Sequence, residues 1–154
     1  MQENIKEVVA EWRGGMAFEG KNSSGGRVQV GEFDGKPGIR PMELLLVGLA
    51  GCTGVDIVNI LEKKRQKLSD FTVRVRGERA ETHPKVYTKI RVEYYLWGEG
   101  LEPRAVEQAI QLSEDKYCSA RAMLGAVAKI TSQYHILAPG EALPEEEQSS
   151  AEGK

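Results

Sequence analysis

The chain has 154 residues, of which 40% are hydrophobic and 29% charged, and its formal net charge at pH 7 is −2. This length suits one domain, the composition excludes a disordered protein, and the charge balance leaves no basic patch for nucleic acid. Apolar residues between glycine-rich turns predict three short strands near the N-terminus, which form a meander. These strands are expected at Ile5–Arg13, at Met16–Glu19 and around Val28 and Val30.

A long helix is predicted from about Met42 to Gln66, because Pro41 suits a first helical turn and Glu43 places a carboxylate near the positive end of the helix dipole. Its first half is almost entirely apolar, so we expect it to be buried on all sides. Glycine recurs at Gly48, Gly51 and Gly54. Each glycine costs a helix up to about 1 kcal/mol relative to alanine, which predicts the close approach of another backbone. Asp56, inside this apolar helix, needs a partner, and an arginine is expected.

The second half of the chain predicts two long strands, two helices and a closing strand. Alternating residues place the strands at Phe71–Arg76 and Ile90–Leu96, and a final strand at Ile130–Leu137. Glu102-Pro103 opens one helix, and a further helix is expected from about Cys118 to Val127. The element order βββ-α-ββ-αα-β indicates an α+β fold. We therefore expect one domain over residues 1–137, followed by a polar, acidic and poorly ordered tail over residues 138–154.

The chain shows no sign of membrane insertion or secretion. Its longest uninterrupted apolar stretch, Leu44–Ala50, is too short to cross a bilayer. The first residues also lack the basic and apolar regions of a signal peptide. We therefore expect a cytoplasmic protein without a membrane partner.

Two cysteines, Cys52 and Cys118, are the only ones in the chain. A structural disulfide is not expected in a reducing cytosol, so the pair is reactive, or consists of two unrelated buried thiols, or forms half of a metal site. Composition alone favours two unrelated buried thiols over a reactive pair, because free cysteine is among the most buried residue types. The absence of paired Cys or His at ligand spacing argues against metal. Burial in the apolar helix should raise the pKa of Cys52, whereas a helix start should lower the pKa of Cys118.

Several basic residues could stabilise a thiolate. Arg27 follows two glycines, Arg40 precedes the long helix, and Arg121 lies one turn after Cys118. For each of these arginines taken alone, a solvated surface position is the commoner interpretation. The two histidines, His83 in a polar loop and His135 in a strand, are not placed near either cysteine by the sequence.

Two segments together resemble a known family. Residues 41–53 (PMELLLVGLAGCT) and residues 112–119 (LSEDKYCS) are similar to the OsmC/Ohr family of bacterial hydroperoxide-reducing proteins, most of all to its OsmC-like redox-protein subgroup. The resemblance extends over roughly residues 5–137, including the order of elements. It implies an OsmC-like fold in which curved sheets wrap around buried central helices in an intertwined homodimer. It also implies two active sites at the subunit interface.

The resemblance further implies a chemistry and a set of site residues. Cys52 would attack an organic hydroperoxide to give a sulfenic acid, and Cys118 would condense with it to a disulfide. Arg27, with Arg40 as its rival, and Glu43 would activate the thiolate. No cofactor or metal is implied, and a dithiol reductant such as a lipoyl protein would regenerate the enzyme. The expected role is defence against oxidative stress.

Two positions differ from the family's hydroperoxidases, and they keep alternatives open. Those enzymes commonly have Glu directly after the helix proline and Pro directly after the second cysteine, whereas this chain has Met42 and Ser119 there. A non-peroxidase thiol protein or small-ligand-binding protein with the same fold is therefore the second hypothesis. A structural dimeric module with unreactive cysteines is the third.

Overall fold

A computed structural model of the chain describes residues 4–145. The chain forms two compact units, one that ends at Leu49 and one that begins at Ala50. The order of elements is the one that the sequence predicts, with one addition, a π-helical turn between the second and third helices.

The first unit contains an antiparallel meander of three strands. They are β1 (Val8–Trp12), β2 (Phe18–Asn22) and β3 (Arg27–Val30). β2 begins two residues later than predicted. After β3 the chain bends at Gly31, which has φ +91° and where an added Cβ would strike the backbone carbonyl of Met16. Only glycine suits this left-handed, crowded position.

One face of this sheet is apolar and exposed. The register places Val8, Trp12, Phe18 and Val28 on the same face, and all four side chains are exposed. The opposite face carries Glu19, which forms ion pairs with the basic side chains Arg13, Lys21 and Arg27. An uncovered apolar sheet face of this kind typically marks an interaction surface.

Helix α1 spans Pro41–Lys63. Only one stripe of it is buried, at intervals of four residues: Leu49, Thr53, Ile57 and Leu61. The prediction that this helix is buried on all sides is therefore wrong for the single chain, because four of its large apolar side chains are exposed: Leu45, Val47, Val55 and Val58. The helix is also long and apolar enough, by length and composition alone, to cross a membrane. The core helix of a soluble protein can meet the same criteria.

The glycines of α1 do not meet another backbone within the described residues. A Cβ added at Gly48 or Gly51 would find open space. At Gly54 it would lie 3.7 Å from Phe71 and 3.8 Å from Val73, both side-chain contacts at ordinary distance. The prediction of a close backbone approach is therefore wrong for this part of the chain, because α1 packs on β4 through side chains.

The second unit is a three-stranded sheet with helices. Strands β4 (Asp70–Arg79), β5 (Tyr87–Trp97) and β6 (Lys129–Leu137) lie in that order, with β4 antiparallel and β6 parallel to β5. Between β5 and β6 come α2 (Pro103–Leu112), the π-helical turn (Ser113–Tyr117) and α3 (Ser119–Gly125). The buried core takes alternate residues of β5, which are Ile90, Val92, Tyr94 and Leu96, together with the inner face of α2, which includes Val106 and Ala109.

The residues that follow β6 contact the other face of this sheet. The indole N–H of Trp97 donates to the carbonyl of Glu141 at 2.7 Å, and Arg74 donates to the carbonyl of Pro144 at 2.9 Å. Residues 138–145 thus have hydrogen bonds to the sheet. The rest of the predicted tail, residues 146–154, lies outside the described residues.

Candidate thiol site

The two cysteines lie side by side in the second unit. Both are free thiols, and Cys52 is close enough to Cys118 to help raise the pKa of that thiol. Cys52 is partly exposed, whereas Cys118 is only 3% exposed. The arrangement therefore offers one partly exposed thiol and a second, buried thiol near it.

The π-helical turn positions Cys118. Its backbone N–H donates to the carbonyl of Ser113 at 2.7 Å, five residues earlier, which is the π-type bond that ends the turn. Cys118 then becomes the N-cap residue of α3, and its sulfur accepts a hydrogen bond from the backbone N–H of Arg121 at 3.4 Å. Turns of this kind are frequent at functional sites.

The pKa of Cys118 is raised, contrary to the expectation from its position at a helix start. Burial is the largest cause, because it penalises the charged thiolate. Hydrogen bonds from Thr53, whose Oγ1 lies 3.1 Å from the sulfur, and from the Arg121 backbone act in the opposite direction but do not outweigh burial. The prediction of a lowered pKa was wrong because it counted the helix end and not the burial. Cys118 is therefore a neutral thiol at pH 7.

A row of buried polar groups leads away from Cys118. Thr53 contacts the sulfur, and its hydroxyl acts to lower the pKa of Tyr94. Tyr94 donates in turn to Glu114 Oε1 at 2.9 Å, and the same oxygen lies 3.3 Å from an Nη atom of Arg121. Burial, and then the charge of Glu114, raise the pKa of Tyr94 strongly, so this phenol remains protonated. We call Cys118, Thr53, Tyr94 and Glu114 the buried polar row.

Sequence reasoning did not find most of this row. It named Arg121 as a possible partner of a thiolate, but it did not single out Thr53, Tyr94 or Glu114. Two signals were available in the sequence: Thr53 is a polar residue within the buried stripe of α1, and Tyr94 occupies a core position of β5. Only the three-dimensional packing shows that the Thr53 hydroxyl meets the Cys118 sulfur.

Asp56 is paired with a hydroxyl. Ser113 Oγ donates to Asp56 Oδ2 at 2.9 Å. The predicted arginine partner is therefore wrong. Asp56 is only half-buried, so water and one hydroxyl can satisfy a carboxylate that full burial would have forced to pair with a cation.

The three remaining predicted site residues belong to the first unit. Arg27 is an exposed residue that forms an ion pair with Glu19 at 3.0 Å. Glu43 accepts a hydrogen bond at 2.9 Å from the backbone N–H of Arg40, the residue before α1, as in the carboxylate half of a capping box. The Arg27 and Glu43 side chains thus have partners within the first unit, and Arg40 is bonded there through its backbone N–H.

The histidines lie in other environments. His83 is exposed in the loop between β4 and β5, and the His135 ring stacks on Tyr95 with a centroid distance of 4.9 Å. Because side chains alternate along β5, Tyr95 points to the opposite face of the sheet from Tyr94. Among residues 4–145, His, Cys, Asp and Glu form no group of three that could hold a metal ion.

These features define a class of protein: a small α+β protein with two adjacent thiols, one accessible and one buried. Within that class, the chain belongs to the OsmC-like family, whose model matches residues 33–133 and is described as "OsmC-like protein". The predicted family and fold class are thereby confirmed. The chain is 35% identical to Protein YhfA of Escherichia coli over 132 residues, which are 86% of this chain and 98% of that protein.

Solved structures give the same result. A hypothetical protein from Aquifex aeolicus is 38% identical and superposes with a TM-score of 0.79, covering 88% of this chain and 98% of that one. An organic hydroperoxide resistance protein OsmC from Legionella pneumophila has a TM-score of 0.62 at 14% identity, with coverages of 86% and 98%. This second likeness concerns the fold alone.

Proposed function

We propose that this protein is a thiol-dependent peroxidase that reduces organic hydroperoxides through a cycle of Cys52 and Cys118. The observation that carries the proposal is the proximity of a partly exposed thiol and a buried thiol. The hydroperoxide resistance proteins that share the fold, from Legionella pneumophila and Bacillus subtilis, support the choice of substrate class. The physiological role would be defence against oxidative stress in the cytoplasm.

The proposed cycle has three steps. The Cys52 thiolate attacks one oxygen of the peroxide, the O–O bond breaks, and the alcohol leaves while Cys52 becomes a sulfenic acid. Cys118 then attacks the sulfur of Cys52, the S–O bond breaks, and water leaves as the disulfide forms. A dithiol, for which a lipoyl group is a candidate, reduces the disulfide by thiol exchange. Two electrons pass from the reductant to the peroxide in each turnover.

The working form in this proposal is a homodimer. The exposed apolar face of the β1–β3 sheet and the exposed apolar side chains of α1 support this, because a monomer with so much uncovered apolar surface is unfavourable in water. Arg27, Arg40 and Glu43 are proposed to act on the thiolate in that dimer, where the first unit of each chain can also contact the partner chain.

The cycle is tested by titrating thiols. Reduced protein mixed with an equivalent of cumene hydroperoxide should lose both thiols per chain, and Cys118→Ser should lose only one. A dimedone adduct at Cys52 in the Cys118→Ser variant would identify the sulfenic acid, while Cys52→Ser serves as the control that forms none. Retention of both thiols in the unmodified protein would exclude the peroxidase.

A non-peroxidase thiol or small-ligand-binding protein is the second candidate. It is favoured by the contacts of the proposed activating residues: Glu43 accepts the hydrogen bond that caps α1, and Arg27 is paired with Glu19. Under this hypothesis the Cys118→Ser variant gives no dimedone adduct with any hydroperoxide. The two cysteines would still form a disulfide when a small disulfide is added, because that reaction needs only an accessible thiol and its neighbour.

A further inference from the structure

The outer face of the β4–β6 sheet, opposite the core residues of β5, carries a local excess of positive charge. Alternation along the strands places five cations there, which we call the basic face: Arg74, Arg76, Lys89, Arg91 and Lys129. The carboxylates on the same face of these strands are Glu78 and Glu93. The chain as a whole has a net charge of −2, so its overall charge balance conceals this face.

Like charges stand directly opposite each other twice on the basic face. Arg76 faces Arg91 in the register of β4 and β5, which we call the arginine pair, and Lys89 faces Lys129 in the register of β5 and β6, the lysine pair. Such pairs destabilise a sheet, and departures of this kind are typical of functional sites. An anion held between the paired cations would remove the repulsion.

Most of these cations have no internal counter-charge. Glu93 forms an ion pair with Arg91 at 2.6 Å. Within residues 4–145, by contrast, the side chains of Arg76, Lys89 and Lys129 have no hydrogen bond or ion pair, and all three are exposed. The basic face therefore keeps three cations free to bind a group from outside the chain.

The two pairs line one cavity. Its volume is about 590 Å³, within the usual range for small-ligand sites, and its walls carry both arginines, both lysines and the carboxylate of Glu78. The arginine pair also lines a neighbouring cavity of about 280 Å³, to which Glu145 contributes from the segment after β6. The free cations thus surround the larger cavity, which is the candidate binding position.

The spacing of the cations indicates the class of ligand. The arginine pair and the lysine pair are two residues apart along each strand, which corresponds to about 6.7 Å. A single phosphate group contacts one pair only, whereas a chain of two or three phosphates can contact both. Guanidinium groups bind phosphate oxygens bidentately and lysine ammonium groups act as point charges, so both pairs suit phosphate.

We propose that the basic face binds a small oligophosphate, a chain of two or three phosphates that bridges the arginine pair and the lysine pair. A long nucleic acid is disfavoured, because the free cations occupy only two neighbouring positions along the strands and the chain is acidic overall. This site goes beyond the proposed function and does not depend on the thiol cycle, since Tyr94 and the other core residues of β5 lie on the opposite face of the sheet.

Isothermal titration calorimetry of the reduced full-length protein tests this site, with sodium tripolyphosphate as the ligand in a low-salt buffer without magnesium. We expect saturable binding of one ligand per chain, and weaker binding as salt is added, because salt screens exposed charges. Orthophosphate should bind at least about 10-fold more weakly, because it reaches one pair only. ATP titrated in parallel distinguishes a nucleotide, which would bind at least as tightly as tripolyphosphate, from a free oligophosphate.

The decisive variants remove one cation from each pair. Arg76→Thr and Lys129→Thr should each weaken tripolyphosphate binding by about 10-fold or more. Arg104→Gln is the matched control, because Arg104 is an exposed cation of α2, on the other side of the sheet, and its removal changes the net charge equally. Its effect on affinity should be less than about twofold. Misfolding would not explain a loss in Arg76→Thr, since the removal of repulsion should raise its thermal stability without ligand.

Four results would overturn the proposal. These are no binding of tripolyphosphate by the unmodified protein, equal affinity for orthophosphate and tripolyphosphate, equal weakening in Arg104→Gln and Arg76→Thr, and tighter binding of a single-stranded oligonucleotide, which would make nucleic acid the ligand. Binding of tripolyphosphate only after Glu145→Gln would also contradict it, because the chain's own carboxylate beside the arginine pair would then be the occupant of the basic face.

Discussion

The ion pair between Glu114 and Arg121 offers a quantitative test of how this site is held together. The two atoms are 3.3 Å apart, and the side chains are 13% and 18% exposed. At that distance and an effective dielectric constant of about 20, the attraction is about 5 kcal/mol, from which the cost of removing both charges from water must be subtracted. Within residues 4–145 this Arg121 Nη atom has no hydrogen-bond partner, so it depends on this charge.

Removal of the carboxylate alone should therefore be the costly change. We expect Glu114→Ala to lower the free energy of unfolding by about 3–5 kcal/mol, because it leaves a buried guanidinium without a counter-charge and Tyr94 without its acceptor. The double variant that combines Glu114→Ala with Arg121→Met should recover about half of this loss. The two single variants, the double variant and the unmodified protein form a double-mutant cycle with an expected coupling of about 1.5–3 kcal/mol.

The measurement is urea unfolding of all four proteins at one protein concentration, since association would otherwise change the apparent stability. A coupling below about 0.5 kcal/mol, the usual value for exposed pairs, would refute the reasoning that this pair is held in a poorly solvated environment. A double variant less stable than Glu114→Ala would likewise show that Arg121 contributes through its other contacts and not through the carboxylate.

Two further predictions concern the other face of the β4–β6 sheet. The hydroxyl of Tyr95 donates to Glu93 at 2.6 Å and lowers the pKa of that carboxyl, so Tyr95→Phe should lower the free energy of unfolding by about 1–2 kcal/mol at pH 7. This loss should disappear as the pH falls through the lowered pKa, because Glu93 then becomes neutral. An equal loss in acid would contradict this cause. Arg76 lies directly opposite Arg91 in the strand register, so Arg76→Thr should raise the free energy of unfolding by about 0.2–1 kcal/mol. The gain should be smaller in high salt, which screens the repulsion between the two arginines. A loss of stability in a low-salt urea titration would show that the two charges do not repel.

Periodicity predicted the elements of this fold well because their apolar faces are local patterns. The strand Ile90–Leu96, with every second residue apolar, lies inside β5, and its predicted inner residues are all buried. The end of α2 was less predictable. A π-helical turn depends on a bond between Cys118 and Ser113 that has no distinct residue signature, and its formation changes which residues begin α3.

The site was only partly predictable, because its energetics depend on residues distant in sequence. Two cysteines could be named from their contexts, but the sign of the Cys118 pKa shift is decided by how deeply the sulfur is buried. The contact of Thr53 with the Cys118 sulfur joins α1 to the start of α3 and cannot be seen from either segment alone. The burial of α1 was overestimated for a related reason: a uniformly apolar sequence shows that a helix needs cover, not that its own chain provides it.

The two tryptophans of the chain give each unit an optical reporter. Trp12, in the β1–β3 sheet, is 65% exposed, whereas Trp97, in β5, is 5% exposed with its indole N–H bonded to the carbonyl of Glu141. Emission from the first should be red-shifted and quenched by iodide, and emission from the second should be blue-shifted and protected. Association through the apolar face that contains Trp12 would move its emission towards that of Trp97. Detachment of residues 138–145 would move the emission of Trp97 the other way, so intrinsic fluorescence can follow both events without a label.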